Sequence, residues 1–128
     1  KKKPFFFVNP EIIYKSNENI IYEEGCLSVP GQFAEISRPE ECKVKYLDYH
    51  GNPQEIIAKG LLATCIQHEI DHLEGILFID HLSWLKKISI VKKLQKQQKA
   101  LAFPLSKLSS CQIAFFSAFI FFQKFSEK

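Results

Sequence analysis

The sequence predicts an α+β fold: antiparallel β-strands packed around one central helix, with a second helix near the C-terminal side. Three observations predict it. Short apolar runs broken by Gly, Pro, Asn and Asp recur up to Gly60, the pattern of strands joined by turns. The run Leu61-Leu62-Ala63-Thr64-Cys65-Ile66 then leads into charged residues with no breaker before Gly75, as a largely buried helix does. Beyond it, Leu85, Ile88, Val91 and Leu94 recur near helical spacing.

The elements follow in order. Lys1 to Lys3 read as a solvated turn. Phe5-Phe6-Phe7-Val8 is expected to be a buried strand, ended by Asn9-Pro10. The runs 11–14 and 20–23 flank polar Ser16-Asn17-Glu18-Asn19, which predicts a hairpin. Glu24-Gly25-Cys26 follows directly and puts the sulfur at a strand end. Pro30-Gly31 reads as a turn and 33–36 as a short strand. In 42–49, Cys42, Val44, Tyr46 and Leu47 alternate with Lys43, Lys45 and Asp48, a half-buried strand. His50-Gly51-Asn52-Pro53 turns the chain, and 54–59 returns as a strand. Gly60 ends the sheet, the central helix runs over 61–73, and Gly75 is placed to close it. After the apolar connector 76–79, Asp80 or Ser83 is placed to cap a helix over 84–101. Phe103-Pro104 stops that helix. The expected division is a domain over 1–102 and a phenylalanine-rich tail over 103–128.

Composition narrows the function classes. A net charge of +3 on 128 residues gives no case for sequence-specific nucleic-acid binding. Cys26, Cys42, Cys65 and Cys111 form no Cys-x-x-Cys pair, which suits the reduced thiols of a cytoplasmic protein rather than a disulfide frame. The tail segment 113–122 is uncharged and holds five phenylalanines. It is shorter than the roughly 20 residues a spanning helix needs, so no membrane span is expected.

The chemistry is concentrated in Gln67-His68-Glu69-Ile70-Asp71-His72-Leu73-Glu74-Gly75. Residues four apart share a helix face, so His68 and His72 can grip one metal ion, with Glu69 beside it to handle a proton. A catalytic site of this kind needs a third protein ligand and an open position. A His at 78 would make the third ligand of one peptidase pattern, but that position is Phe78. A downstream Glu would make that of another, but beyond Glu74 only Glu127 exists. His81 lies past the helix end. Upstream, Glu24-Gly25-Cys26-Leu27-Ser28 offers a thiol at a strand end.

Those two stretches, in that order and some forty residues apart, resemble the signatures of peptide deformylase. The likeness runs from about Phe5 to Ala102 and takes in Asn9-Pro10, Arg38-Pro39 and Gly60-Leu61-Leu62-Ala63. It implies that Cys26, His68 and His72 are metal ligands, that Glu69 is the catalytic acid and base, and that the Leu27 N–H helps hold the oxyanion. It implies a substrate site involving Tyr22, Gly25, Leu61, Thr64 and Cys65, though Cys65 itself reads as a small buried hydrophobe rather than a metal ligand. The implied cofactor is one divalent metal, Fe(II) by family habit, with Zn(II) or Ni(II) as alternatives. The implied reaction removes the N-formyl group from the first methionine of nascent polypeptides. Arg38 and Glu24 are expected to pair and orient the Cys26 loop, and Asp71 to cap or orient locally. The lysines of 84–101 read as a solvated face or as a docking surface for the ribosome. The family's Gly-x-Gly-Leu-Ala-Ala-x-Gln stretch does not occur in these residues, so the expectation is an N-terminally truncated domain with impaired activity. A non-catalytic remnant, a ribosome-associated binding module and a zinc-dependent peptidase stand as alternatives.

Overall fold

A computed structural model describes residues 5–101. The tail 103–128, with Cys111, and the Lys1 to Lys3 turn lie outside the described residues. The fold is α+β. Strands β1 (Val8–Lys15), β2 (Asn19–Cys26), β3 (Val29–Pro39), β4 (Glu41–Leu47) and β5 (Pro53–Lys59) precede helix α1 (Leu61–Leu73). A 3-10 turn (Phe78–His81) and helix α2 (Trp84–Leu101) follow. The strands form two antiparallel sheets, β1-β4-β5 and the hairpin β2-β3.

Helix α1 is central because it packs its apolar face on one sheet and turns His68 and His72 to Glu24 and Cys26 of the other. Ala63, Ile66 and Ile70 recur at helical spacing and join Cys42, Val44 and Ala58 of the three-stranded sheet in one buried cluster. A second cluster gathers Val29 and Ile36 of β3, Phe78 and Ile79 of the 3-10 turn, and Ile90 of α2. Cys26 packs against this second cluster. The α1 face that carries His68 and His72 therefore looks toward the hairpin.

Four expectations are corrected. The segment 16–19 does not close a hairpin: β1 pairs with β4, while β2 pairs with β3. Its polar groups instead tie to the β3–β4 corner, where the Ser16 N–H donates to the Glu41 carbonyl and the Glu40 N–H to the Glu18 carbonyl. Phe5, Phe6 and Val8 are exposed rather than a buried strand. Pro30-Gly31 is no turn, because the chain reverses at Leu27-Ser28 with Cys26 facing Val29, and residues 30–32 bulge out of β3. In α2, Leu85 is exposed and Ile90 is buried.

The end of α1 follows the expected chemistry. Gly75, at φ 77°, sends its N–H to the His72 carbonyl, and Ile76 sends its own to the Asp71 carbonyl. This paired closure needs a residue in the left-handed region. A side chain there costs roughly 1–2 kcal/mol. Gly75→Ala is expected to lower the urea midpoint by that equivalent, with the far-UV spectrum unchanged.

Candidate metal centre

Helical spacing brings the two histidines together. His68 Nε2 and His72 Nε2 lie 3.1 Å apart, with the rings nearly perpendicular. The third atom comes from the end of β2. The two-residue turn after Cys26 points its sulfur at α1, and Sγ lies 3.1 Å from His72 Nε2. All three atoms fall within 4.8 Å of one another. Tetrahedral ligands on bonds of about 2.1 Å are separated by roughly 3.4 Å, so the donor set fits one divalent ion. A thiolate with two imidazoles suits Zn, Fe or Ni.

Electrostatics favours the ionised forms of Cys26 and Glu24, and the protonated form of His68 until a metal displaces its proton. Burial works against ionisation of the Cys26 thiol, yet hydrogen bonds from His68, His72 and Ser28 outweigh it and hold its pKa at about 4. Burial also opposes the Glu24 carboxylate, but His68 and Arg38 hold it at about 2. An ionised carboxylate only accepts, so His68 Nδ1 donates to Glu24 Oε2 at 2.9 Å and Nε2 is turned toward Cys26 and His72. Against its own burial, His68 is raised to about 9 by Cys26 and Glu24. Without an ion the centre is thus a thiolate–imidazolium cluster.

Glu69 is buried, and neither carboxylate oxygen has a partner among the described residues. Burial raises its pKa, while the charges of His68 and His72 pull it down and Cys26 pushes it up. Those couplings place it beside the centre. An unpaired buried carboxylate is costly, and it is the state expected of a group kept for a reacting proton.

The other predicted residues fall into two groups. Leu27 sits in the turn beside the sulfur, its side chain exposed. A Cβ at Gly25 would stand 2.5 Å from the Phe33 ring, so a side chain there would have to displace that exposed ring. Leu61, Thr64 and Cys65 occupy the first turns of α1, and the half-buried Tyr22 hydroxyl lies near Gly60 at that end. Thr64 Oγ1 is buried without a hydrogen-bond partner among the described residues. Burial pushes the Cys65 thiol up to about 12, and it is not among the clustered ligand atoms. His81 is not among them either; its Nε2 meets Asp71 Oδ2 at 2.7 Å. Glu24 and Arg38 do pair, and the carboxylate also takes His68 from α1. The contact between Arg38 and Asp71 was not foreseen; its one local signal is a carboxylate three residues after His68 on the same helix.

An α+β fold with Cys, His and His converging beside a buried carboxylate defines a candidate metal-centre protein. The polypeptide deformylase family model matches residues 1–88, and the chain belongs to that family, whose members are metal-dependent hydrolases. It is 67% identical over 96 residues to the peptide deformylase of Pelagibacter ubique, covering 75% of this chain and 56% of that protein. The crystal structure of the Ehrlichia chaffeensis peptide deformylase matches with a TM-score of 0.73 and 44% identity, over 79% of this chain and 56% of that one. A Met-Ala-Ser-bound peptide deformylase from Acinetobacter baumannii matches with a TM-score of 0.59 and 47% identity, over 59% of this chain and 48% of that one. The chain spans about half to three-fifths of the length of the relatives it matches.

The titrations set the pH dependence of the metal-free fold. Glu24 and Cys26 are ionised when folded at pH values where the unfolded chain, near 4.5 and 9.0, still holds their protons, so stability climbs from pH about 2. The raised Glu69 offsets part of that climb just above 4.5. Between 6.5 and about 9 the proton kept by His68 cancels the gain from Cys26, and the curve flattens. Above 9 the buried thiols of Cys65 and Cys42, both raised, make stability fall. Urea midpoints taken across pH in chelator should trace this rise, plateau and fall; a maximum near pH 4 would contradict it.

Proposed function

We propose that this chain carries the metal and acid–base half of an enzyme that removes the N-formyl group from the first methionine of nascent polypeptides. The observation that supports it most is the convergence of Cys26 Sγ, His68 Nε2 and His72 Nε2 beside the unpaired Glu69 carboxylate. Cys26, His68 and His72 would hold the ion, with Fe(II) the proposed native metal and Zn(II) or Ni(II) able to replace it. A divalent metal so held brings a water's pKa toward neutrality and polarises the formyl oxygen. Glu69 accepts the proton of the attacking water and returns it to the departing amine, so that formate and a free amine result. Its raised pKa suits both halves of that transfer. The Leu27 N–H, at the turn beside the sulfur, is the oxyanion donor from this chain. Tyr22, Gly25, Leu61, Thr64 and Cys65 form the proposed methionine side. The Met-Ala-Ser bound to the Acinetobacter baumannii relative supports a substrate of that kind.

The exposed Lys92, Lys93, Lys96 and Lys99 of α2 are proposed to meet the acidic surface of the ribosome, an attraction that salt would weaken. The proposed compartment is the cytoplasm; no helix among the described residues is long and apolar enough to cross a membrane.

Assayed by themselves, these residues provide no Gly-x-Gly-Leu-Ala-Ala-x-Gln stretch. In the family the glutamine of that stretch helps to hold the oxyanion, and loss of one such donor costs about 10²–10³ in rate, so slow turnover is expected. The chain, purified anaerobically with Fe(II) or Ni(II), should release formate from formyl-methionyl peptides slowly. Glu69→Gln should slow release a further 10²–10⁴-fold with metal content unchanged. Equal rates in the two proteins would overturn the acid–base role, and cleavage of unformylated peptides would favour the peptidase reading.

A further inference from the structure

We infer that Asp71 and Arg38 are positioning residues: they clamp Glu24 against His68 Nδ1, and His81 anchors the clamp from the surface. The inference rests on the reading of Cys26, His68 and His72 as a metal centre.

The clamp is a continuous line of polar contacts through four elements. Arg38, on β3, turns Nε and Nη2 onto the two oxygens of Glu24, on β2. Its remaining nitrogen, Nη1, reaches Asp71 Oδ2 on α1 at 2.7 Å. Glu24 Oε2 takes both Arg38 Nη2, at 3.0 Å, and His68 Nδ1, at 2.9 Å. Asp71 Oδ2 also takes His81 Nε2 from the 3-10 turn.

Arg38 and Glu24 are almost wholly buried, at 4% and 7% exposure. No water can replace a lost partner there, so each group's direction is set by the others. A guanidinium is a rigid planar fork. Fixing Nη1 on Asp71 therefore fixes the plane in which Nε and Nη2 meet Glu24. The Glu24 carboxylate in turn sets the rotation of the His68 ring, and so the direction of Nε2. Asp71 lies one residue from His72, so the same backbone segment that presents a ligand also holds the far end of the clamp. The line also sets the two carboxylates of Glu24 and Asp71 against the single guanidinium of Arg38, next to residues that would bind a cation.

The test uses the full chain loaded with Co(II), whose visible spectrum reports ligand geometry and whose affinity is read by competition with a chromophoric chelator. Asp71→Asn keeps the shape and removes the charge that holds Arg38. It is expected to weaken Co(II) about 10–100-fold and to shift the ligand-field bands, with Asp71→Glu restoring part of both. Arg38→Lys, which loses the fork, should behave like Asp71→Asn. Should Asp71→Asn not fold, His81→Gln at the exposed end decides: a loosened, spectrally altered Co(II) supports the clamp. Unaltered affinity and bands in a folded variant, beside a wild-type chain that binds Co(II), overturn the clamp alone. A wild-type chain that binds no Co(II) overturns the metal centre and the clamp with it.

Discussion

The carboxylate of Glu24 joins the two halves of this fold. It projects from β2, takes the guanidinium of Arg38 from β3, and takes the His68 ring from α1. Burying an ionised carboxylate costs several kcal/mol unless both oxygens are satisfied. Here both are, and by partners on different elements. The hairpin therefore cannot move over α1 without stripping a buried charge of its partners. That constraint holds Cys26, two residues along the same strand, opposite the histidines. The apolar clusters give the layers their affinity, and this ion pair fixes their relative placement.

The parts of the structure set by local periodicity were legible in the sequence. The bounds of α1, the His68–His72 face and the closure at Gly75 follow from spacing along one helix, and β4 and β5 from alternation along one strand. Partner choice was not legible. A polar insert such as 16–19 looks the same whether it closes a hairpin or carries the chain from one sheet to another. What decides it is distant: Ile12 of β1 packs against the buried cluster that Cys42 and Val44 of β4 share with Ala58 of β5 and with α1. Gly31, at positive φ, suits a bulge as well as a turn. The partner of His68 lies 44 residues upstream, and no spacing rule reaches so far.

The site combines opposite electrostatic environments within a few ångströms. Cys26 and Glu24 are surrounded by donors and stay ionised despite burial. Glu69, next to His68 on the helix, has no hydrogen-bond donor among the described residues and is pushed the other way. Two glutamates, Glu24 and Glu69, are thereby shifted in opposite directions by environment rather than by residue type. Cys65 shows the same logic in reverse: a thiol one turn from His68, with burial and the nearby carboxylates Glu69 and Glu24 against it, stays a neutral core residue.

The hairpin also determines where this region tolerates insertions. Cys26 faces Val29 across a reversal of two residues, and Val29 is almost completely buried. One residue added at Leu27-Ser28 would exchange inward and outward positions along β3 and carry the sulfur away from α1. The bulge at 30–32 already holds residues with no strand partner, and Pro30 and Gly31 face solvent. Lengthening there leaves the Cys26–Val29 pair in register. Evolutionary drift in chain length should therefore accumulate on one side of Val29 and be purged on the other.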